Sequence, residues 1–405
     1  LQERAHRLIP GGSHTYSKGD DQYPRAAPPL IARGEGARIW DPDGNAYVEY
    51  APGQRTVTLG HGYPEVVAAA AAAMADGCNF NRPSVLEGEC AERLLSLFPD
   101  ADMVKFTKDG STANTAAVKL ARAATGRRIV ALCEDHPFFS YDDWAIGLTP
   151  VAGGIPPELT AMTATFRFND LASVERVFDA HQGDVACLML EPARYIEPDP
   201  DYLPGLRELC DRHGAVLIFD EMTTAFRWGL NGAQAVFGVR PDLTTVGKGM
   251  ANGFSLSALL GDRELMCLGG LDHDRERVFL LSTTHGAESP ALAAAMAVID
   301  VFEREDVVGH LYRAGADLRS GLQPVIDRHG LQEQVELLGR DCAMLFTTRD
   351  AAGQPSQGLR SLLLQELARR GVLAPSLMVC FSHRRAEIAE TVAAFDDALA
   401  VYARG

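Results

Sequence analysis

Lysine is scarce in this chain: only Lys18, Lys105, Lys108, Lys119 and Lys248, among 38 lysines and arginines in 405 residues. Any chemistry that needs an amine nucleophile has five places to occur. The surplus of arginine reads as a composition bias. Positive charge is also in deficit: a net charge of −16 argues against a nucleic-acid partner, because phosphate backbones are bound by cationic faces. The eight cysteines include no CxxC pair, and the eleven histidines no HExxH or HxxxH pair. Neither a disulfide framework nor a metal site is expected, and reduced, mostly buried thiols fit a cytoplasmic protein. The longest apolar run, Val66 to Ala75, is far short of the roughly 20 residues that cross a bilayer, so no membrane association is expected. The polar start, Gln2 to Arg7, carries no secretory signal, and Leu1 in place of Met suggests a trimmed terminus.

What is present is ordinary globular composition in a chain too long for one core, which predicts two subdomains. Between Ile9 and Gly60 the chain is rich in Gly and Pro, and Asp41-Pro42-Asp43-Gly44-Asn45 separates two short strand-like pieces, residues 37–40 and 46–49, as in a hairpin. From Pro64 onward helical and strand patterns alternate. The strand patterns are 103–107, 128–133, 185–190, 215–219, 243–246 and 256–260; several are the continuous apolar runs of buried parallel strands. Such alternation predicts an open α/β sheet with ligands at the carboxyl ends of its strands. A helical region over 289–328, broken near Glu305-Asp306, leads to short strands and two final helices, 359–370 and 385–402. That stretch reads as a smaller α+β subdomain.

Three places carry chemistry. Strand 215–219 is followed by Asp220-Glu221. A carboxylate at a buried strand end is costly unless it meets a cation, so it is either a structural cap or ion pair, or the anionic partner of a protonated ring nitrogen. Strand 243–246 is followed by Gly247-Lys248-Gly249, an amine held by the sheet between two residues that let a bulky ligand approach. As a nucleophile it needs its pKa brought below the usual ~10.4; otherwise it is a turn lysine in solvent. Third, Gly110-Ser111-Thr112 opens a helix, which supplies free N–H groups, hydroxyls and the positive end of the helix dipole to a phosphate, or simply caps the helix. A phosphate cradle, a strand-end carboxylate and a strand-end lysine together describe a site for pyridoxal 5'-phosphate (PLP).

At this point the chain resembles the glutamate-1-semialdehyde aminomutase-like branch of the class III PLP-dependent aminotransferases. The resemblance runs through Ile9-Pro10-Gly11-Gly12, Gly34 to Gly44, Leu59-Gly60-His61, Gly110-Ser111-Thr112, Phe219-Asp220-Glu221, Gly247-Lys248-Gly249 and Ser282-Thr283-Thr284. It implies PLP fold type I: a large, mostly parallel-sheet domain (61–303) and a small α+β domain (304–405) to which residues 1–60 contribute. The family's Schiff-base lysine matches Lys248, its pyridine-nitrogen aspartate Asp220, and its phosphate loop Gly110, Ser111 and Thr112. Phe138 matches the ring-stacking aromatic and Met222 the hydrophobic residue on a ring face. Thr284, in preference to Thr283, matches a threonine that reaches the neighbouring subunit's phosphate, which implies a homodimer with shared active sites. The implied cofactor is PLP, with pyridoxamine 5'-phosphate as the intermediate; the implied partners are a small amino donor and a carbonyl acceptor.

Departures from the family pattern fall on the substrate side. An Asn-Ser-Pro-Val-Arg-like segment that grips a carboxylate becomes His14-Thr15-Tyr16-Ser17-Lys18, and lysine does not replace a bidentate arginine conservatively. A tryptophan near Gly53 becomes Gln54, beside Arg55; Gly-Asn-Pro becomes Ala287-Glu288-Ser289; Glu191-Pro192 is followed by Ala193-Arg194-Tyr195. Arg55, Arg194, Lys18 and Glu288 are therefore the candidate substrate residues, against surface or capping roles for each. Phe139, Tyr141 and Trp144 are pocket lining or core. The expected activity is amino transfer to a carbonyl compound of specialised metabolism; an aminomutase and a PLP-dependent decarboxylase or epimerase are the alternatives.

Overall fold

The computed structural model describes residues 1–136 and 138–404. They form two units, Glu65–Arg304 and a second that joins Leu1–Pro64 to the chain from Glu305 onward. No helix among the described residues is long and apolar enough to cross a membrane.

The Glu65–Arg304 unit is built on seven strands: β1 (Met103–Thr107), β2 (Ile129–Cys133), β3 (Thr163–Phe166), β4 (Val185–Leu190), β5 (Val216–Asp220), β6 (Leu243–Val246) and β7 (Ser257–Gly261). Their order is β1-β7-β6-β5-β4-β2-β3. Only β7 is reversed; it pairs antiparallel with both β1 and β6, and the other pairs are parallel. β3 is a strand that the apolar-run criterion passes over, because Thr163-Ala164-Thr165-Phe166 lies at the sheet edge and is only partly buried.

Alternation along the central strands assigns their side chains to two faces. Val216 and Ile218 of β5, with Cys187 and Met189 of β4, pack against helix α1 (Gly110–Thr125). Leu217 and Phe219, with Leu188 and Leu190, pack on the opposite face against helices α2 (Leu171–Ala180) and α3 (Tyr202–His213). The alternation has a chemical consequence: the next residue after Phe219, Asp220, is directed to the α1 face. α1 itself starts because Asp109 accepts the Thr112 N–H at 2.8 Å and ends at Gly126, whose φ of +69° few other residues adopt cheaply.

In the other unit, Arg38–Trp40 and Ala46–Glu49 form the hairpin, with Ile39 opposite Tyr47. Asp41 fixes its turn by accepting the Asp43 and Asn45 N–H groups at 3.0 and 2.8 Å. Val372–Leu373 then adds to Ala46–Glu49 in parallel, so the first sixty residues and the last hundred share one sheet. The helical run over 289–328 divides into α4 (Ser289–Arg304) and Val307–Arg328, because Asp306 caps the second helix on the Gly309 N–H at 3.0 Å.

Candidate active site

β1, β2, β4, β5 and β6 all present their carboxyl ends to the same side of the sheet. Each is followed there by a residue with chemistry: Lys108 to Thr112 after β1, His136 and Phe138 to Tyr141 after β2, Glu191 after β4, Asp220 at the end of β5, and Lys248 after β6. Strand order reverses at β2, since the chain adds β3 on one side of it and β4 on the other, and an open α/β sheet binds ligands at the carboxyl edge beside such a point.

Asp220 is 4% exposed and held from two sides. Asn114 of α1 donates to one carboxylate oxygen at 2.7 Å, and the Met222 N–H donates to the other at 3.0 Å. Asn114 is itself fixed: it donates to the Phe139 carbonyl at 2.7 Å and accepts from the Thr245 hydroxyl at 2.6 Å. Burial, with the charge of Glu191 adding to it, pushes the Asp220 carboxyl up to about 6; the charge of Lys248 and the two hydrogen bonds oppose the shift. An acid whose folded pKa lies above its unfolded value stabilises the fold while protonated. That contribution is lost as pH rises from about 4 through about 6. In the cofactor-free protein, the stability of wild type relative to Asp220→Asn should fall across that window by on the order of 2–3 kcal/mol. Denaturant titrations at pH 4.5 and 7.5 measure it, and a difference that rises with pH would refute the shift.

The adjacent acid has another task. Glu221 is fully buried and receives the Ala233 and Gln234 N–H groups at 2.8 and 2.7 Å, together with the Thr224 hydroxyl. It caps the start of a short helix, and burial raises its pKa to about 7. Of the two readings open for the acid pair, Glu221 takes the structural one.

Lys248 adopts φ +44°, a left-handed conformation that costs a non-glycine residue on the order of 1–2 kcal/mol. It opens the turn Lys248–Ala251 against which α4 packs, and its Nζ lies 3.5 Å from the Thr223 hydroxyl. Met222 fills the floor between two glycines. A Cβ on Gly110 would meet its sulfur at 3.0 Å; a Cβ on Gly247 would meet it at 2.7 Å and collide with the Ser257 hydroxyl. Gly247→Ala should therefore lower stability by roughly 1–3 kcal/mol and weaken PLP retention, because overpacking a filled core displaces its neighbours. Thermal melts with and without PLP test this; a variant that melts and retains PLP like the parent contradicts it.

Ser111 and Thr112 lie in the first turn of α1. Ser111 is buried, and its hydroxyl oxygen accepts the Tyr141 N–H at 3.3 Å; the Thr112 hydroxyl lies 3.0 Å from an Asp109 oxygen and 3.1 Å from the Tyr141 hydroxyl. Phe138 exposes its ring, 56% accessible, whereas Phe139 and Trp144 are core residues.

The candidate substrate residues fall in both units. The Arg194 guanidinium faces the Glu191 carboxylate at 3.4 Å and donates to the Asp135 carbonyl at 3.2 Å. Glu288 pairs with Lys108 at 2.5 Å. Thr284 is exposed, with its carbonyl accepting from the Asn79 side chain at 2.8 Å. Lys18 and Arg55 belong to the other unit, where Lys18 is exposed on the turn Tyr16–Lys18. Arg55 closes a segment in which Ala51, Gly53, Gln54 and Arg55 all take positive φ. The Gln54 amide donates to the Ser17 hydroxyl at 2.9 Å, which joins two stretches that depart from the family pattern. Asn114, Thr245, Thr223 and His136 are the site residues that motif reading passes over.

A sequence model of the class-III aminotransferases matches residues 21–399. The chain is 35% identical over 422 residues to a glutamate-1-semialdehyde 2,1-aminomutase of Roseiflexus castenholzii, covering 98% of this chain and 96% of that one. In structure it is similar to the FumI protein of Sphingopyxis sp. MTA144, solved in its PLP internal aldimine form, with a TM-score of 0.90 at 27% identity, covering 100% of this chain and 95% of that one. An omega-transaminase of Sphaerobacter thermophilus aligns with a TM-score of 0.87 at 28% identity, covering 100% and 97%. The fold is PLP fold type I, and the enzyme is PLP-dependent. The chain belongs to the class-III aminotransferase family. The residues present suit that cofactor. A buried carboxylate oriented by Asn114 can face a protonated ring nitrogen, the glycine-bounded Met222 floor can take a flat ring, and the first turn of α1 can take a phosphate.

Proposed function

We propose that this aminotransferase moves an amino group between two separate small molecules, an amino donor and a carbonyl acceptor of specialised metabolism, with Lys248 and Asp220 as its catalytic residues. The observation that carries the assignment is the placement of Lys248 and a hydrogen-bonded, buried Asp220 at the carboxyl ends of adjacent strands β6 and β5. When bound, PLP supplies an electron sink for charge that develops beside the transferred nitrogen. Lys248 supplies the amine that anchors the cofactor and, once a donor has displaced it, carries a proton to and from the reacting carbon as general base and acid. Asp220 keeps a proton on the ring nitrogen, and Asn114 holds Asp220 in line. Gly110, Ser111 and Thr112 hold the phosphate, with Phe138 and Met222 on the two faces of the ring. The chain acts as a homodimer in which Thr284 serves the other copy's phosphate site.

Transfer between two molecules is favoured over transfer within one because the carboxylate-gripping arginine of the aminomutase pattern is absent from 14–18, where Lys18 stands exposed. An aminomutase remains the second reading, supported by 35% identity over nearly the whole chain to a protein of that name. Single amino donors added to the PLP-loaded enzyme discriminate. Bleaching of the cofactor absorbance with release of the matching keto product is expected. Turnover of glutamate-1-semialdehyde without any external acceptor, and no bleaching by any donor, would overturn the proposal in favour of the second reading.

A further inference from the structure

We infer that Thr223, Glu191 and Arg194 form a positioning chain that aims the Lys248 amine and sets its proton affinity. The inference rests on the aminotransferase reading above but concerns residues which that reading does not use. Lys248 Nζ lies 3.5 Å from the Thr223 hydroxyl oxygen, and that hydroxyl donates to a Glu191 carboxylate oxygen at 3.1 Å. The other Glu191 oxygen faces the Arg194 Nε at 3.4 Å.

The direction of the chain follows from the donors and acceptors available. An ionised carboxylate only accepts, so the Thr223 proton points to Glu191 and the Thr223 lone pairs are left towards Lys248. Lys248 must therefore donate to Thr223, which fixes one of its N–H bonds and with it the direction of the rest of the amine. Glu191 is held for this task at both ends: its own N–H donates to His136 Nδ1 at 3.1 Å, and Arg194 is fixed by the Asp135 carbonyl at 3.2 Å. The Glu191 and Arg194 side chains are 12% and 23% exposed, so the charges act at short range with limited screening.

The charges give the chain an electrostatic function as well. Glu191 favours the protonated state of a nitrogen on Lys248 and disfavours ionisation of Asp220, while Arg194 offsets Glu191. Among the charged groups near the amine, Asp220 of β5 interacts with Lys248 through its charge, and Glu191 lies behind Thr223 with Arg194 beyond it; Glu221 is turned away into its helix cap. His136 is held largely neutral, because burial lowers its pKa to about 4. This account makes Arg194 a residue that tempers an internal carboxylate, not one that grips substrate.

The test is a pH titration of the visible absorbance that arises when PLP is joined to Lys248, read without turnover. Thr223→Val and Glu191→Gln should each lower the midpoint, by about one unit, since a hydrogen-bond acceptor or a negative charge is lost. Thr223→Ser should restore the parent value. Arg194→Gln should raise the midpoint by roughly half a unit, because Glu191 is left uncompensated. A structural role alone does not produce shifts of opposite sign. Arg194→Gln, at a partly exposed position, keeps the test decisive if Thr223→Val fails to fold. Parent midpoints in Arg194→Gln and in whichever Thr223 and Glu191 variants fold would overturn the inference while leaving amino transfer untouched. Titrating midpoints in an enzyme that no donor bleaches would overturn the transfer reading and leave the positioning chain standing. Absence of any lysine-linked absorbance in the parent would overturn both.

Discussion

Lys248→Ala should lower amino transfer by ~10³-fold or more while the protein still folds and still binds PLP, now reversibly. Two separate losses are expected. The covalent anchor disappears, so PLP washes out on dialysis, and borohydride no longer fixes it to the chain. The proton carrier also disappears, and positioned proton transfer alone contributes typically 10²–10⁴-fold. The fold should survive because the side chain is partly exposed and because alanine inherits the same left-handed φ of +44° without a new clash. Small amines added to the variant should restore part of the rate, since they replace the proton carrier. Single-turnover kinetics with saturating PLP, dialysis and mass measurement after borohydride read the three effects apart. Covalent PLP on another lysine, or a rate within tenfold of the parent, would remove Lys248 from the mechanism.

Much of this was legible because it is written in local pattern. The end of an apolar run places a residue at the edge of the sheet, and glycines next to that end imply a close approach. Gly247-Lys248-Gly249 and Asp220 are therefore visible without coordinates. The break at Glu305-Asp306 is equally local, since an N-cap explains it. Asn114 was harder. Its signal is a polar residue on the alanine-rich buried face of α1, among Ala113, Ala116 and Ala117, one turn after Gly110. A polar group on such a face needs a partner, but its identity depends on β5 and β6 lying beneath α1, and therefore on strand order. Thr223 and Glu191 were hidden for the same reason: they are 32 residues apart and meet only because β4 and β5 are neighbours. For Arg194, weighed between a substrate and a surface role, the sequence does hold a partner: the Glu191 carboxylate stands three residues away. The edge strand β3 was missed because a half-exposed threonine-rich strand has no apolar run to show.

Asp220→Asn should then lower amino transfer by ~10²–10³-fold, a loss typical of removing one preorganised electrostatic group from a buried site. The amide is nearly the same size and can still accept the Asn114 donor, but it offers an NH₂ where the Met222 N–H needs an acceptor and no charge to hold a ring proton. The ring nitrogen would be left unprotonated, and charge developing at the reacting carbon would have nowhere to go. Stability should respond differently from activity. In the cofactor-free protein Asp220 is a buried acid pushed up to about 6, so at pH 7.5 its ionisation works against the fold. The asparagine variant avoids that penalty and should gain stability relative to wild type as pH rises. PLP binding should narrow this gap, because a ring cation beside Asp220 returns the carboxylate to its charged form at little cost. An Asp220→Asn enzyme that is slow, stable at pH 7.5 without cofactor and less stabilised than wild type by PLP would satisfy all three expectations. A variant that keeps wild-type turnover would show that Asp220 holds the loop through Met222 and Asn114 without acting on the cofactor.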